Sequence, residues 1–440
     1  MFDPVNEPSF RLDVAGLPDA FEVLAFTGTD AISEPFVFDV DLLIYDPALD
    51  LASLLYRPVF LQFDFAGSGV HGQLHQLVQR EHGTTSRFCR VRVGPKLACL
   101  AQRFSQRIFS ARSVPQILNQ VLQEHGIVDS ERRFELGGDY PLREFCTQYR
   151  ESDLQFFQRL CAEEQLHYYF EHRRGGHCLV IGDDQANHAE GRVLPGDNAF
   201  QRVSRLEVQR CTPSTGQGRR AMQGARGRTE LAILRSGQLL SLFKDDSLWV
   251  LTDVEHHGDP DAPAPYSNKI RMSPWTASFA DTQAVAKPRM PSLQRAWVVE
   301  VDESPPDPSR PVAVQFDWLY QGEGATPCHC WLPLAAQLQG PGMAPLRDGA
   351  QVVVSFIDGD PDQPLISGLL RGHAGADVCE LPEAQPVQES HAGEALLALL
   401  QASEPLVLLC LLPGGGSFSH CRQAICTCRA AVLSGQSGAA

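Results

Sequence analysis

The chain has 440 residues, 43% of them hydrophobic and 20% charged, enough apolar content to bury several cores and too much for a disordered or fibrous protein. At roughly 150 residues per domain the length suits about three domains. The 37 basic and 53 acidic residues leave a net charge of −16, which argues against a general nucleic-acid binder and against adhesion to an anionic membrane, since both rely on excess Lys and Arg.

The N-terminus, Met1-Phe2-Asp3-Pro4, lacks the basic start and apolar stretch of a secretory signal, so a cytoplasmic origin is expected. Strands follow. Phe36 to Leu42, Val59 to Phe65, Val70 to Val78 and Phe88 to Val93 partly alternate apolar and polar residues, with a turn at Gly67-Ser68-Gly69. An antiparallel barrel or sandwich satisfies such edges. Two helices come next. Ser113 is an N-cap with Gln116 as its capping-box partner, Pro115 lies in the first turn, and Ile117, Leu118, Val121 and Leu122 form a stripe that ends at Gly126. Ser152 and Gln155 repeat the device ahead of Leu154, Phe157, Leu160 and Cys161. A hairpin is expected from His167 to Ile181, turning at Arg173 to Gly176.

Gly216 to Arg228, rich in Gly and Arg, reads as a loop, and Ser236 to Leu242 and Leu248 to Val254 as strands. Val312 to Trp318, Cys330 to Ala335, Gln351 to Ile357 and Leu365 to Leu370 suit a five-strand Greek-key barrel. After Gly372 the alternation stops. The tail carries Asp377, Glu380, Glu383, Glu389, Glu394 and Glu404 against Arg422 and Arg429. Its apolar run, Ala395 to Leu412, is broken by Gln401, Ser403, Glu404 and Pro405, so no membrane anchor is expected.

Candidate chemistry is sparse. Gly216-x-Gly218-x-x-Ala221 lacks the preceding strand that a dinucleotide fingerprint needs. Asp358-Gly359-Asp360-Pro361-Asp362 opens like a calcium loop, but its twelfth position is Leu369 where a Glu is required, so a tight turn is expected. Cys328-His329-Cys330 has no second ligand pair, and His420, Cys421, Cys426 and Cys428 fit no usual zinc spacing. Glu163-Glu164, Asp183-Asp184 and His256-His257 are adjacent in sequence, which points the two side chains of each pair apart. The thirteen cysteines read as reduced core thiols. No catalytic, cofactor-binding or metal-binding residues are assigned, and no enzymatic activity is expected.

One string carries more information than these single residues. Arg143-Glu144-Phe145-Cys146-Thr147-Gln148-Tyr149-Arg150-Glu151-Ser152-Asp153-Leu154, then Phe157, Arg159-Leu160, Glu163-Glu164 and Tyr168-Tyr169-Phe170, closely resembles the VgrG spike family of type VI secretion. Arg107-Ile108-Phe109, Tyr266-Ser267-Asn268, Val314 to Trp318, Cys330-Trp331 and Gly359-Asp360-Pro361-Asp362-x-Pro364-x-Ile366-x-Gly368 extend the likeness over about residues 8–371.

The resemblance implies a mainly β fold with α/β insertions, two hub-like β-barrels followed by an OB-fold barrel, and an irregular C-terminal tail. The expected division is 1–110 first barrel, 111–200 α/β insertion, 201–295 second barrel, 296–371 OB-fold barrel, and 372–440 an aberrant or disordered tail in place of a β-helix needle. It further implies a structural spike: a homotrimer that seats on the hexameric tube protein, assembles in the cytoplasm and is then secreted or injected. An effector-loading adaptor and a non-functional truncated copy are the alternative readings. Three departures stand out. Gln165 replaces the usual Gly after Glu163-Glu164, which predicts a different helix cap. Pro333 stands where an arginine is expected, and Leu346-Arg347-Asp348-Gly349 replaces Pro-Arg-Ile-Gly. Residues 372–440 show no needle repeat, which leaves piercing and the docking of a tip-capping protein unsupported. Residues 151–153 are read as helix initiation: Ser152 caps, and the flanking acids suit the helix dipole.

Overall fold

The structure is a computed structural model that describes residues 9–17, 21–46, 48–82, 86–173, 175–183, 203–211, 222–241, 248–275, 286–305, 307–319, 329–339, 346–370, 408–412 and 416–420. It divides into two compact units, Met1–Leu293 with Ser355–Pro364, and Gln294–Val354 with Leu365–Ala440. In chain order the elements up to residue 293 are β1 (Arg11–Val14), β2 (Phe21–Ala31), β3 (Val37–Ile44), β4 (Pro58–Gln62), β5 (Gly69–His82), β6 (Arg87–Gly94), β7 (Phe104–Phe109), α1 (Val114–Glu124), β8 (Arg132–Glu135), β9 (Cys146–Ser152), α2 (Asp153–Glu163), β10 (His167–Arg173), β11 (Gly176–Gly182), β12 (Val203–Cys211), β13 (Met222–Thr229), β14 (Leu239–Ser241), β15 (Leu248–Gly258) and β16 (Tyr266–Pro274).

Strict alternation builds the main sheet. Phe38, Val40, Leu42 and Ile44 of β3 are fully buried, while Asp39 and Asp41 face outward. The sheet runs β1-β4-β5-β6-β3-β2-β15-β16-β13-β12, with β14 added beside β15. The strands of the two barrel regions therefore join into one antiparallel sheet through β2 and β15, from Ala31↔Asp253 to Phe26↔Gly258. Gly28 on β2 makes room for this core, since a Cβ there would sit 2.2 Å from the Phe38 ring.

Residues 222–229 are a strand and not the expected loop. Ala225 and Thr229 point inward, Arg226 and Arg228 outward, and the segment pairs with β12 on one side and β16 on the other. Two neighbouring strands satisfy its backbone, which outweighs the weak strand preference of its glycines. Residues 216–221 lie outside the described residues.

Both helices start as expected. Gln116 Oε1 accepts the Ser113 N–H at 3.0 Å. Gln155 Oε1 accepts the Ser152 N–H at 2.9 Å, and Ser152 Oγ accepts the Gln155 N–H at 3.2 Å. They also end alike. Ile127 N–H donates to Leu122 O at 2.9 Å after Gly126 at φ +68°, and Leu166 N–H donates to Cys161 O at 2.7 Å after Gln165 at φ +56°. The cap expected to differ at Gln165 thus keeps the left-handed geometry, and an exposed side chain carries the strain that glycine avoids. The buried faces of both helices join the core of Phe26, Phe36, Phe38 and Phe63.

The remaining strands are β17 (Gln294–Val298), β18 (Val312–Phe316), β19 (Cys330–Leu332), β20 (Gln351–Phe356), β21 (Pro364–Leu370), β22 (Leu408–Leu412) and β23 (Gly416–His420). Five of them pair in the order β19-β18-β17-β20-β21, around Ala296, Val314, Phe316, Leu332, Val352, Val354 and Ile366. A bridge from Leu334 to Ile366 links the first strand of that order to the last and closes the small barrel. In the tail, β22 and β23 pair antiparallel.

Candidate functional site

The motif string folds into β9 and α2. Arg150, at φ +50°, sits in an irregularity where Tyr149 and Arg150 together oppose Gln106, and the strand turns there. As a result Glu151, Ser152 and Asp153 are buried one after another, which neither a regular strand nor a regular helix would achieve.

Each acid has its own cations. Arg159, 0% exposed, donates to Glu151 from Nη2 at 2.7 Å and from Nε at 3.1 Å, to Thr147 O at 3.0 Å and to Glu163 at 2.8 Å. Burial pushes the Glu151 carboxyl up, and the Arg159 guanidinium only partly opposes this. Asp153, also 0% exposed, accepts from Gln148 Nε2 at 2.8 Å and pairs with His125 Nε2 at 2.7 Å, with Arg103, and with Arg107 at 3.4 Å. Burial opposes its charge, yet Gln148, His125 and the two arginines outweigh burial and hold it below the usual carboxylate range. Arg143 grips Glu163 and Glu164 at 2.6 and 2.5 Å. Such a network fixes orientation more than it adds stability, because desolvation offsets much of the attraction.

In the same unit the Thr147 N–H donates to Asp362 at 2.6 Å and its hydroxyl to Pro361 O at 2.9 Å. Lys287 pairs with Asp360 at 2.7 Å and with Asp362 at 2.6 Å. Asp358 to Asp362 is the expected turn, with Asp358 and Gly359 both at positive φ.

A second cluster surrounds Phe36, Phe38 and Phe63. His172 accepts the His71 N–H on Nδ1 at 3.1 Å, and its ring lies 5.2 Å from Phe36 and 6.2 Å from His177. His256 packs on Phe38 and pairs with Tyr266 Oη at 2.6 Å. Arg235, over the Phe63 ring at 5.0 Å, donates to the carbonyls of Ala232, Leu234 and Gly69. Burial lowers His172 and His256 well below the usual histidine range, and His177 to about 4. The cluster borders a cleft of about 730 Å³ lined also by Phe60, Tyr169 and Ser236.

The sequence candidates scatter. Glu163 and Glu164 share Arg143 rather than forming a dyad. Asp183 accepts from the N–H groups of Gly137 and Gly138 and from Tyr140 Oη, a structural anchor for that loop. His256 points inward and His257 outward. Cys330 is buried against Val314 O, while Asp184, Cys328, Cys421, Cys426 and Cys428 lie outside the described residues. Among the described residues no group of three His, Cys, Asp or Glu is arranged to hold a metal. Burial raises Cys146 to about 12 and Cys161 further, so neither thiol is poised as a nucleophile. Sequence reasoning missed Arg103 and His125, and took Arg107 and Arg159 only as residues of the family motif, without their ion-pair roles. A cation inside the apolar face Phe156-Phe157-x-x-Leu160-Cys161 was the available signal for Arg159.

Two family profiles match the chain: "Phage tail baseplate hub (GPD)" over residues 29–222, and "Type VI secretion system/phage-baseplate injector OB domain" over 294–370. The spike protein VgrG4b of Pseudomonas aeruginosa is 32% identical over 474 aligned positions, covering 88% of this chain and 59% of that protein. VgrG5 of the same organism is 33% identical, covering 87% and 60%. The chain thus spans about three fifths of the length of these relatives. In Vibrio cholerae, a protein named actin cross-linking toxin VgrG1 is 28% identical over 72% of this chain and 38% of its own length. Among solved structures, an Escherichia coli type VI secretion component, described as similar to the bacteriophage T4 tail proteins gp27 and gp5, aligns with a TM-score of 0.67 at 22% identity, over 82% of this chain and all of that one. The hub and OB matches, the identity along most of the sequence and the shared fold place the chain in the VgrG spike-protein family.

Proposed function

We propose that this chain is a structural spike component of a contractile injection machine, with residues 1–110 and 201–295 as hub barrels, 111–200 as the insertion between them and 296–371 as the OB barrel. Three copies associate, seat on the hexameric tube protein and travel with it into the target cell. The observation that carries this reading is the continuous sheet through β2 and β15, in a chain whose two profile matches are a baseplate hub and an injector OB domain. The motif acids support the same role, because Glu151 is paired with the buried Arg159 and Asp153 with the partly exposed Arg103 and Arg107. The reading gives the chain no enzymatic activity of its own. No described helix is long and apolar enough to cross a membrane.

Light scattering on the full chain tests the assembly. A particle of three times the 48.4 kDa chain mass is expected, and it should co-sediment with tube protein. A monomer at all concentrations that leaves the tube protein in the supernatant would overturn the reading.

A further inference from the structure

Strand β5 carries one residue too many for its partner. Leu74 pairs with Val93 and Gln76 with Arg92, so His75 is the extra residue of a β-bulge. Its ring reaches the 3-10 helix Lys96–Gln102 that follows β6. His75 Nε2 bonds Pro95 O at 3.0 Å. A carbonyl only accepts, so Nε2 carries the ring proton and Nδ1 keeps its lone pair. Burial holds this histidine below the usual range, which keeps the ring neutral. The Nδ1 lone pair meets Cys99 Sγ at 3.9 Å, and Gln73 Oε1 lies 3.8 Å from the same sulfur.

The thiol therefore has one proton and two acceptors. It can serve Nδ1 or Oε1, and the other lone pair is left against those of the sulfur. A metal ion removes the conflict by accepting from all three atoms at once. Ligands of one zinc-type ion lie about 3.5–4 Å apart, given bonds of roughly 2.3 Å to sulfur and about 2.0–2.2 Å to nitrogen or oxygen. The observed separations of 3.9 and 3.8 Å fall in that range. Of Cys89, Cys99, Cys146, Cys161, Cys178 and Cys330, only Cys99 is partly exposed. Gln73 and His75 are partly exposed too, so an ion can enter from solvent and keep a water as its fourth ligand. Lys96 is the cation that acts on this sulfur, and its ammonium is held by Gly126 O at 2.6 Å and Glu131 at 3.1 Å.

We propose that Gln73, His75 and Cys99 bind one divalent metal ion of the zinc type, which clips the bulge of β5 to the turn at 96–102. As the ion binds, the Cys99 S–H bond breaks, the sulfur keeps the electron pair for the metal, and the proton leaves to solvent. The bond from Nε2 to Pro95 O is the outer support that holds the imidazole in place. The third donor is an amide oxygen, weaker than a carboxylate, so a glutamate at position 73 improves the site. The inference does not depend on the assembly role proposed above.

The test titrates cobalt(II) into the metal-free full chain with a phosphine reductant, because a thiolate ligand gives cobalt a charge-transfer band in the near ultraviolet. Cys99→Ala and His75→Ala should each bind one cobalt fewer than the parent, with a matching loss of the band. Gln73→Glu should bind about tenfold tighter and Gln73→Leu about tenfold weaker. Zinc should raise the Tm of the parent more than that of Cys99→Ala. Equal stoichiometry and an equal band in the parent and Cys99→Ala, unchanged affinity in Gln73→Glu, or an equal rise in Tm with zinc would each overturn the proposal. Should Cys99→Ala fail to fold, the comparison of Gln73→Glu with the parent decides alone.

Discussion

Glu151 and Arg159 meet side-on inside the protein, Nη2 to Oε1 at 2.7 Å and Nε to Oε2 at 3.1 Å, with the arginine sealed from water. Arg159→Met should therefore destabilise the first unit by about 3–5 kcal/mol, because Glu151 is left buried and unpaired. The change in urea midpoint measures this. Combining Arg159→Met with Glu151→Leu should cost less than the two single changes added together. Strict additivity would mean that the pair is not coupled.

Gln165→Gly should stabilise the fold. Its φ of +56° costs an L residue about 1–2 kcal/mol, which glycine avoids, less the entropy glycine loses on folding. A net gain of about 0.5–1 kcal/mol is expected as a rise in Tm. Gln165→Val should lower Tm, since a β-branched side chain tolerates positive φ poorly.

Acid should weaken the first unit before its carboxylates titrate. His172, His177 and His256 are held below the ordinary histidine value of 6.5, so the unfolded chain binds protons that the folded chain refuses. Their stabilisation is complete above pH 6.5 and falls as pH drops toward 4, by up to about 1.4 kcal/mol per pH unit for each histidine. Asp30, raised by burial, acts in the opposite direction, gaining as pH falls from its raised value toward 3.8. Replacing His177, which packs on Phe36 and Phe170, with Phe should flatten the Tm profile between pH 6.5 and 4.5. An unchanged slope would exclude His177 as a contributor.

Asp362→Ala should expose the turn at 358–362. It removes the acceptor of the Thr147 N–H and one of the two carboxylates on Lys287, worth roughly 1–3 kcal/mol. Limited proteolysis should then cut near Asp360 faster than in the parent, and Asp362→Asn should fall between the two.

The parts legible in the sequence were local. Ser113 with Gln116 and Ser152 with Gln155 announce both helices, because a capping box is written within four residues. Alternation found β3, β6 and the strands of the small barrel. The segment from residue 222 to 228 was misread because Gly and Arg dominate it, and its strand character comes from pairing with β12 and β16 on either side. The partners of Asp153 were invisible for a related reason. Arg103 and Arg107 lie 50 and 46 residues upstream, and His125 lies 28 away, so no periodicity connects them. The acids of the motif are legible as helix-initiating residues, and Asp153 does lie in the first turn of α2 behind the Ser152 cap, but the cations that surround them are not.

The join between β2 and β15 also bears on how the protein is made. Ser236 reaches back 206 residues to Asp30, and the pairing just beyond it ends at Gly258 on Phe26. A ribosome that has released the first hundred residues has released a sheet whose β2 edge is open, and the strand that pairs with that edge is still unsynthesised. Contacts this distant along the chain slow folding and lengthen the interval in which an unpaired strand can join the wrong neighbour. Nascent chains of this protein are therefore most vulnerable to aggregation before residue 258 emerges, and slower translation past that point would not protect them.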